Sequence, residues 1–82
     1  MTKQEIIERT NVILAEHFEI DVSSITPDAI IRQTLDLDSL RAMELIVVAK
    51  KQFGIMIPPR QLSYIVTFGD LYDYLYENVK ER

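Results

Sequence analysis

Apolar residues recur along this chain at three- and four-residue steps, and strict alternation persists nowhere. That spacing is the period of a helix with one buried face, and the missing period-two pattern argues against strands. Thr2 and Glu5 have capping-box spacing, and Ile6, Thr10, Ile13, Leu14, His17 and Phe18 follow. A first helix is therefore predicted, fading near Phe18. Residues 19–37 read as a long connection, in which Thr26, Pro27 and Asp28 look like a cap and first helical turn. A central helix should start at Asp38 or Ser39 and end at Phe53, with Gly54 as its stop. Pro58 and Pro59 break the chain again, and a short helix is expected at about 60–64. Thr67 with Asp70 opens a last helix striped by Phe68, Leu71, Leu75 and Val79. The expected fold is all-α: one bundle domain over residues 1–82, with three long helices and one short one.

The central helix carries two apolar stripes. Ala42, Leu45, Ile46, Ala49 and Phe53 share one face, suited to packing on the first and last helices. Leu40, Met43 and Val47 lie roughly opposite, mixed with Glu44 and Lys51. Either the helix is buried on most sides or the second stripe meets another protein. With only three long helices, burying every side of one is hard, so the partner surface is favoured.

Composition narrows the class. Eighty-two residues form one small domain, and 48% hydrophobic content argues against disorder. No cysteine staples the core, which fits a reducing compartment, and no apolar run approaches the roughly 18 residues of a membrane span. The charged N-terminus does not resemble a signal peptide, and a soluble cytoplasmic protein is expected. Net charge is −4; residues 1–38 hold eight acids and three bases, residues 39–82 five acids and six bases. Without a basic stripe, nucleic acid is not an expected partner.

The chemistry concentrates at 35–45, LDLDSLRAMEL. Ser39 stands where loop chemistry gives way to a helix, and on its own it, or Asp38, is most simply an N-cap. The wider pattern decides otherwise. Leu35-Asp36-Leu37-Asp38-Ser39-Leu40, then Glu44-Leu45, then Phe53-Gly54-Ile55-Met56-Ile57-Pro58, preceded by Ile25-Thr26-Pro27-Asp28-Ala29, resembles the acyl carrier proteins over essentially the whole chain. The last helix, with Thr67, Phe68, Asp70, Leu71 and Tyr74, fits the resemblance too.

The resemblance implies a four-helix bundle whose Ser39, flanked by Asp38 and Leu40, receives 4′-phosphopantetheine from coenzyme A through a phosphopantetheinyl transferase. The arm's thiol would hold acyl groups as thioesters and present them to loading and ketosynthase-type elongating enzymes of fatty-acid or polyketide-type biosynthesis. The carrier itself would catalyse nothing and is expected to be a monomer. A phosphodiester at Ser39 would meet the positive end of the helix dipole, with Arg41 close by. The docking surface would be Leu40, Arg41, Met43, Glu44, Val47 and Lys51. An acyl pocket between the central, short and last helices would be lined by Leu45, Ile46, Ala49, Phe53, Ile57, Ile65, Phe68, Leu71 and Leu75. All nine are also ordinary core candidates. Ala49 is smaller than the leucine common in fatty-acid carriers, which leaves room unless neighbours collapse into it.

Two departures from the family stand out. The usual glycine before Asp-Ser-Leu is absent; Asp36 stands there, and aspartate tolerates positive φ better than most residues. The central helix is also +2, with Arg41, Lys50 and Lys51 where fatty-acid carriers are acidic and only Glu44 retained. Complementary charge selects partners, so a specialised carrier is expected rather than a housekeeping one. The alternatives are an aminoacyl or peptidyl carrier of the D-alanyl type, which Asp38 weighs against, and an unmodified helical adaptor.

Other constellations weigh little. Asp36 and Asp38 lack the glycine and glutamate of a calcium loop, with Arg41 and Val47 at those positions. His17 is the only histidine and is expected on a helix surface, with no metal bound. Pairing it with Ser39 for catalysis would need an orienting group and an oxyanion hole that nothing suggests. Tyr64, Tyr72, Tyr74 and Tyr76 are read as core-edge packing.

Overall fold

A computed structural model describes residues 1–79. Its helices are α1 (Lys3–Phe18), α2 (Ile31–Thr34), α3 (Ser39–Phe53), α4 (Pro59–Leu62) and α5 (Phe68–Val79), with a 3₁₀ turn at Val22–Ser24. No strand occurs among the described residues, so the three long helices carry the architecture as their spacing predicts.

The long helices begin and end on side-chain and backbone signals. Thr2 accepts the Glu5 N–H while Glu5 accepts the Thr2 N–H, completing the capping box of α1. At the start of α5, Thr67 Oγ1 accepts the Asp70 N–H, and Asp70 Oδ2 accepts the N–H groups of Thr67 and Val66. Gly54 ends α3 at φ 68°, the left-handed cap. Glu19 ends α1 in the same region, at φ 56°, where a side chain is unfavourable. The Ile20 N–H reaches back to Ala15 O at 3.0 Å and holds that turn closed.

The core is where the helices meet. Ile6, Thr10, Leu14 and Phe18, four residues apart, form the buried row of α1. They face Leu45, Ile46, Val48 and Ala49 of α3 and Phe68, Leu71, Tyr72 and Leu75 of α5. Val48 was not in the expected face of the central helix, and its burial makes that face wider. Burial of each such side chain stabilises by about 1.5–3 kcal/mol. Helices α1 and α3 run antiparallel: Arg9 lies over the Phe53 ring at 5.9 Å, and His17 Nε2 is 3.3 Å from Glu44 Oε1. Lys3 pairs with Asp73, and the Tyr72 hydroxyl donates to Asn11, joining α1 to α5.

The connection at 19–37 differs in detail from its expected form. Thr26-Pro27-Asp28 make a β-turn closed by the Ala29 N–H to Thr26 O at 3.1 Å, with proline at its favoured second position. Helical turns flank it instead. Asp21 Oδ1 accepts the Ser23 N–H at 2.9 Å to start the 3₁₀ turn. Helix α2 has no side-chain cap and is clipped to the start of α5 through Ile31 N–H to Val66 O, 3.0 Å, and Phe68 N–H to Ala29 O, 3.2 Å. Gly69 belongs to this clip: its N–H reaches Pro27 O at 2.9 Å, and a Cβ there would stand 3.1 Å from the same oxygen. The short helix opens at Pro59, a proline N1 start, slightly earlier than 60–64. Of the tyrosines, Tyr74 and Tyr76 sit at the core edge as expected, whereas Tyr72 is within the core and Tyr64 is exposed.

Two outcomes follow from the caps. Glu19→Gly relieves the left-handed strain and should stabilise the fold by about 0.5–1 kcal/mol in urea unfolding. The carboxyls of Glu5, Asp21 and Asp70 are held below their ordinary values, chiefly by backbone N–H donors at Thr2, Ser23 and Thr67 respectively. Their contribution is present when ionised and lost as pH falls through the lowered values. Melting temperature should therefore drop below about pH 4, and less steeply in Asp70→Asn.

Candidate functional site

The start of α3 is built by the four residues before it. Leu35 is buried and anchors the loop, and the Leu37 N–H donates to Arg32 O at 3.0 Å. Between them Asp36 takes φ 53°, the left-handed conformation that its aspartate was expected to tolerate in place of glycine. This reversal delivers Asp38 in extended conformation, φ −115° and ψ −170°, where its Oδ1 accepts the Arg41 N–H at 2.8 Å. Asp38 is therefore the N-cap, and Ser39 is the first helical residue.

Consequently the Ser39 side chain has no structural task. It is exposed, and its hydroxyl forms no hydrogen bond among the described residues. The backbone N–H groups of Ser39 and Leu40 precede the first intrahelical donor, Ala42, and are also unpaired. Free N–H groups at the positive end of a fifteen-residue helix favour a negative group esterified to that hydroxyl.

Arg41 is placed less simply than its sequence position suggests. One guanidinium nitrogen, Nη1, donates to Leu35 O at 3.1 Å, and the group lies over the Phe18 ring at 5.7 Å. The side chain thus ties the loop to the end of α1. Glu44 is similarly engaged, by His17. Beside Ser39, the residues His17, Phe18, Glu19, Asp38, Leu40, Arg41 and Glu44 border a concavity of about 350 Å³. Its α1 members were not foreseen, because no local spacing reports which helix end will reach α3.

Along α3 the second apolar stripe is open: Leu40 is 69% exposed, Met43 54% and Val47 50%. Lys51 is exposed beyond it. The residues expected for an acyl pocket are all buried except Phe53, which is partly so. Five of the nine border one small cavity. That cavity, of about 10 Å³, is bordered by Leu45, Ala49, Phe53, Leu71 and Leu75 together with Thr10, Ile13, Leu14 and Val48. It lies towards α1, and Ile46, Ile57, Ile65 and Phe68 belong to the core outside it. Among the described residues, no helix is long and apolar enough to cross a membrane, and no group of three or more metal-ligating side chains occurs.

This geometry agrees with the comparisons. The family model described as "Phosphopantetheine attachment site" matches residues 12–75. The chain is 35% identical to an acyl carrier protein of Rubrobacter xylanophilus, over 95% of this chain and 96% of the relative. It is 30% identical to one from Thermosynechococcus vestitus, over 96% and 98%. It is 38% identical to acyl carrier protein 2 of Ralstonia nicotianae, over 87% and 88%.

The tethering of Arg41 has a measurable consequence. Arg41→Ala should cost about 1–2 kcal/mol in urea unfolding, through the lost bond to Leu35 O and the lost stacking on Phe18. A free surface arginine would change stability by no more than about 0.5 kcal/mol.

Proposed function

The chain belongs to the acyl carrier protein family, and from that premise we propose that Ser39 is the residue to which its phosphopantetheine arm is attached. The observation carrying this is the exposed, unpartnered hydroxyl at the first residue of α3, left free because Asp38 performs the capping. The residues fit the group. The hydroxyl supplies the attachment oxygen, and the unpaired N–H groups of Ser39 and Leu40 complement a phosphodiester. The neighbouring concavity gives the arm a surface to lie against. When bound, the arm supplies a thiol that holds acyl groups as thioesters. The protein is a non-catalytic carrier, and its own residues tether, orient and present the cargo.

The transferase that attaches the arm from coenzyme A would meet Asp36, Asp38 and Leu40, all exposed around Ser39. Elongating enzymes of the ketosynthase type would dock on Leu40, Met43 and Val47, flanked by Arg41, Glu44 and Lys51. That surface is apolar and weakly basic rather than acidic. The reading is of a cytoplasmic, monomeric carrier serving a dedicated pathway of fatty-acid or polyketide type. Arg41 and Glu44 are partly engaged within the fold, so the open cations on the outer side of α3 are Lys50 and Lys51.

Incubation with coenzyme A and a broad-specificity phosphopantetheinyl transferase, read by intact mass, tests the assignment. The expected result is one added arm in the wild type and none in Ser39→Ala. An unmodified wild type, or an arm gained by Ser39→Ala, would overturn it.

A further inference from the structure

The bundle interior holds one side-chain polar atom with no hydrogen-bond partner among the described residues, the Oγ1 of Thr10. Thr10 is 2% exposed and stands in the otherwise apolar buried row of α1. It also borders the 10 Å³ cavity, opposite Ala49, Leu71 and Leu75. A desolvated hydroxyl with nothing to bond is a cost that valine, of nearly the same shape, would avoid. Water does not offset that cost: the cavity is at the lower limit for one molecule, and its exposed lining is carbon, whereas buried water needs two to four polar partners. One step about χ1 exchanges the hydroxyl and methyl of a helical threonine, so either can be turned to the cavity.

We propose that Thr10 is a specificity-determining residue of this carrier, reading an oxygen atom near the far end of the acyl chain. The inference rests on the carrier reading above. Its geometry comes from the antiparallel pairing of α1 and α3, which sets Thr10 near Ala49 and Phe53 and away from the start of α3. Ala49 is ten residues beyond Ser39, about 15 Å along the helix axis. A chain whose thioester lies near the tethered end of α3 therefore reaches Thr10 with its distal carbons. An unsubstituted chain would meet the carbon lining and leave that hydroxyl unpaired. A chain bearing a terminal hydroxyl or carbonyl oxygen would give that hydroxyl the partner it lacks. Ala49, the smallest wall residue, leaves space for the cavity to widen around such a chain. The cargo class is thus an acyl group long enough to span that distance and oxygenated at or near its far end.

The test uses the full chain, loaded at Ser39 with acyl groups of ten, twelve and fourteen carbons, each with a terminal hydroxyl or a terminal methyl. Thioester cleavage by hydroxylamine reports how well each chain is sheltered. At one or more lengths the hydroxylated chain should be released about fivefold more slowly than its methyl twin, the worth of one net hydrogen bond. Thr10→Val should abolish that difference while raising the melting temperature, and Thr10→Ser should keep the difference. Equal release within every pair, or a difference that survives Thr10→Val, overturns the inference and leaves the carrier reading intact. Failure of Ser39 to accept any arm overturns both.

Discussion

A helix N-terminus has more donors than partners, and at α3 one carboxylate settles how they are shared. Asp38 takes the Arg41 N–H, so the serine beside it is released from the task that serine most often performs at such a position. What remains is a hydroxyl in water, on a rigid helix, beside two unpaired N–H groups. The preceding loop exists to arrange this. Asp36 in left-handed conformation turns the chain, Leu35 pins it to the core, and Arg41 reaches back to the Leu35 carbonyl. Loss of any one of these would move the cap and the serine together.

The same helix has to satisfy the core and remain available to enzymes. Leu45, Ile46, Val48 and Ala49 serve the first demand, and Leu40, Met43 and Val47 are left exposed on the side proposed for the second. Helix α3 is held against α1 at both ends, by Arg9 over Phe53 and by His17 with Glu44. Part of the charge on its outer side is therefore spent within the fold.

Features encoded locally were legible before any coordinates. Both capping boxes, the Gly54 stop, the three long helices and the exposed second stripe each depend on residues within four positions of one another. Helix α2 was not legible, because it lacks a side-chain cap and is stabilised by backbone bonds to Val66 and the start of α5, more than thirty residues away. The inward turn of Arg41 was missed for the same reason, since Phe18 lies on another helix. Of the nine residues expected around an acyl chain, eight are buried and Phe53 is partly so, but periodicity gives only a direction from each helix axis. It does not say which residues will share a cavity, and five of the nine border one together with Thr10 and Leu14 of α1.

The division of labour between Asp38 and Ser39 can be read directly from the Arg41 backbone amide by hydrogen exchange. Asp38→Ala should unmask that amide and speed its exchange by about fivefold, whereas Ser39→Ala should leave its rate unchanged. Faster exchange in Ser39→Ala, with Asp38→Ala silent, would mean that the serine is the cap and its hydroxyl is not free.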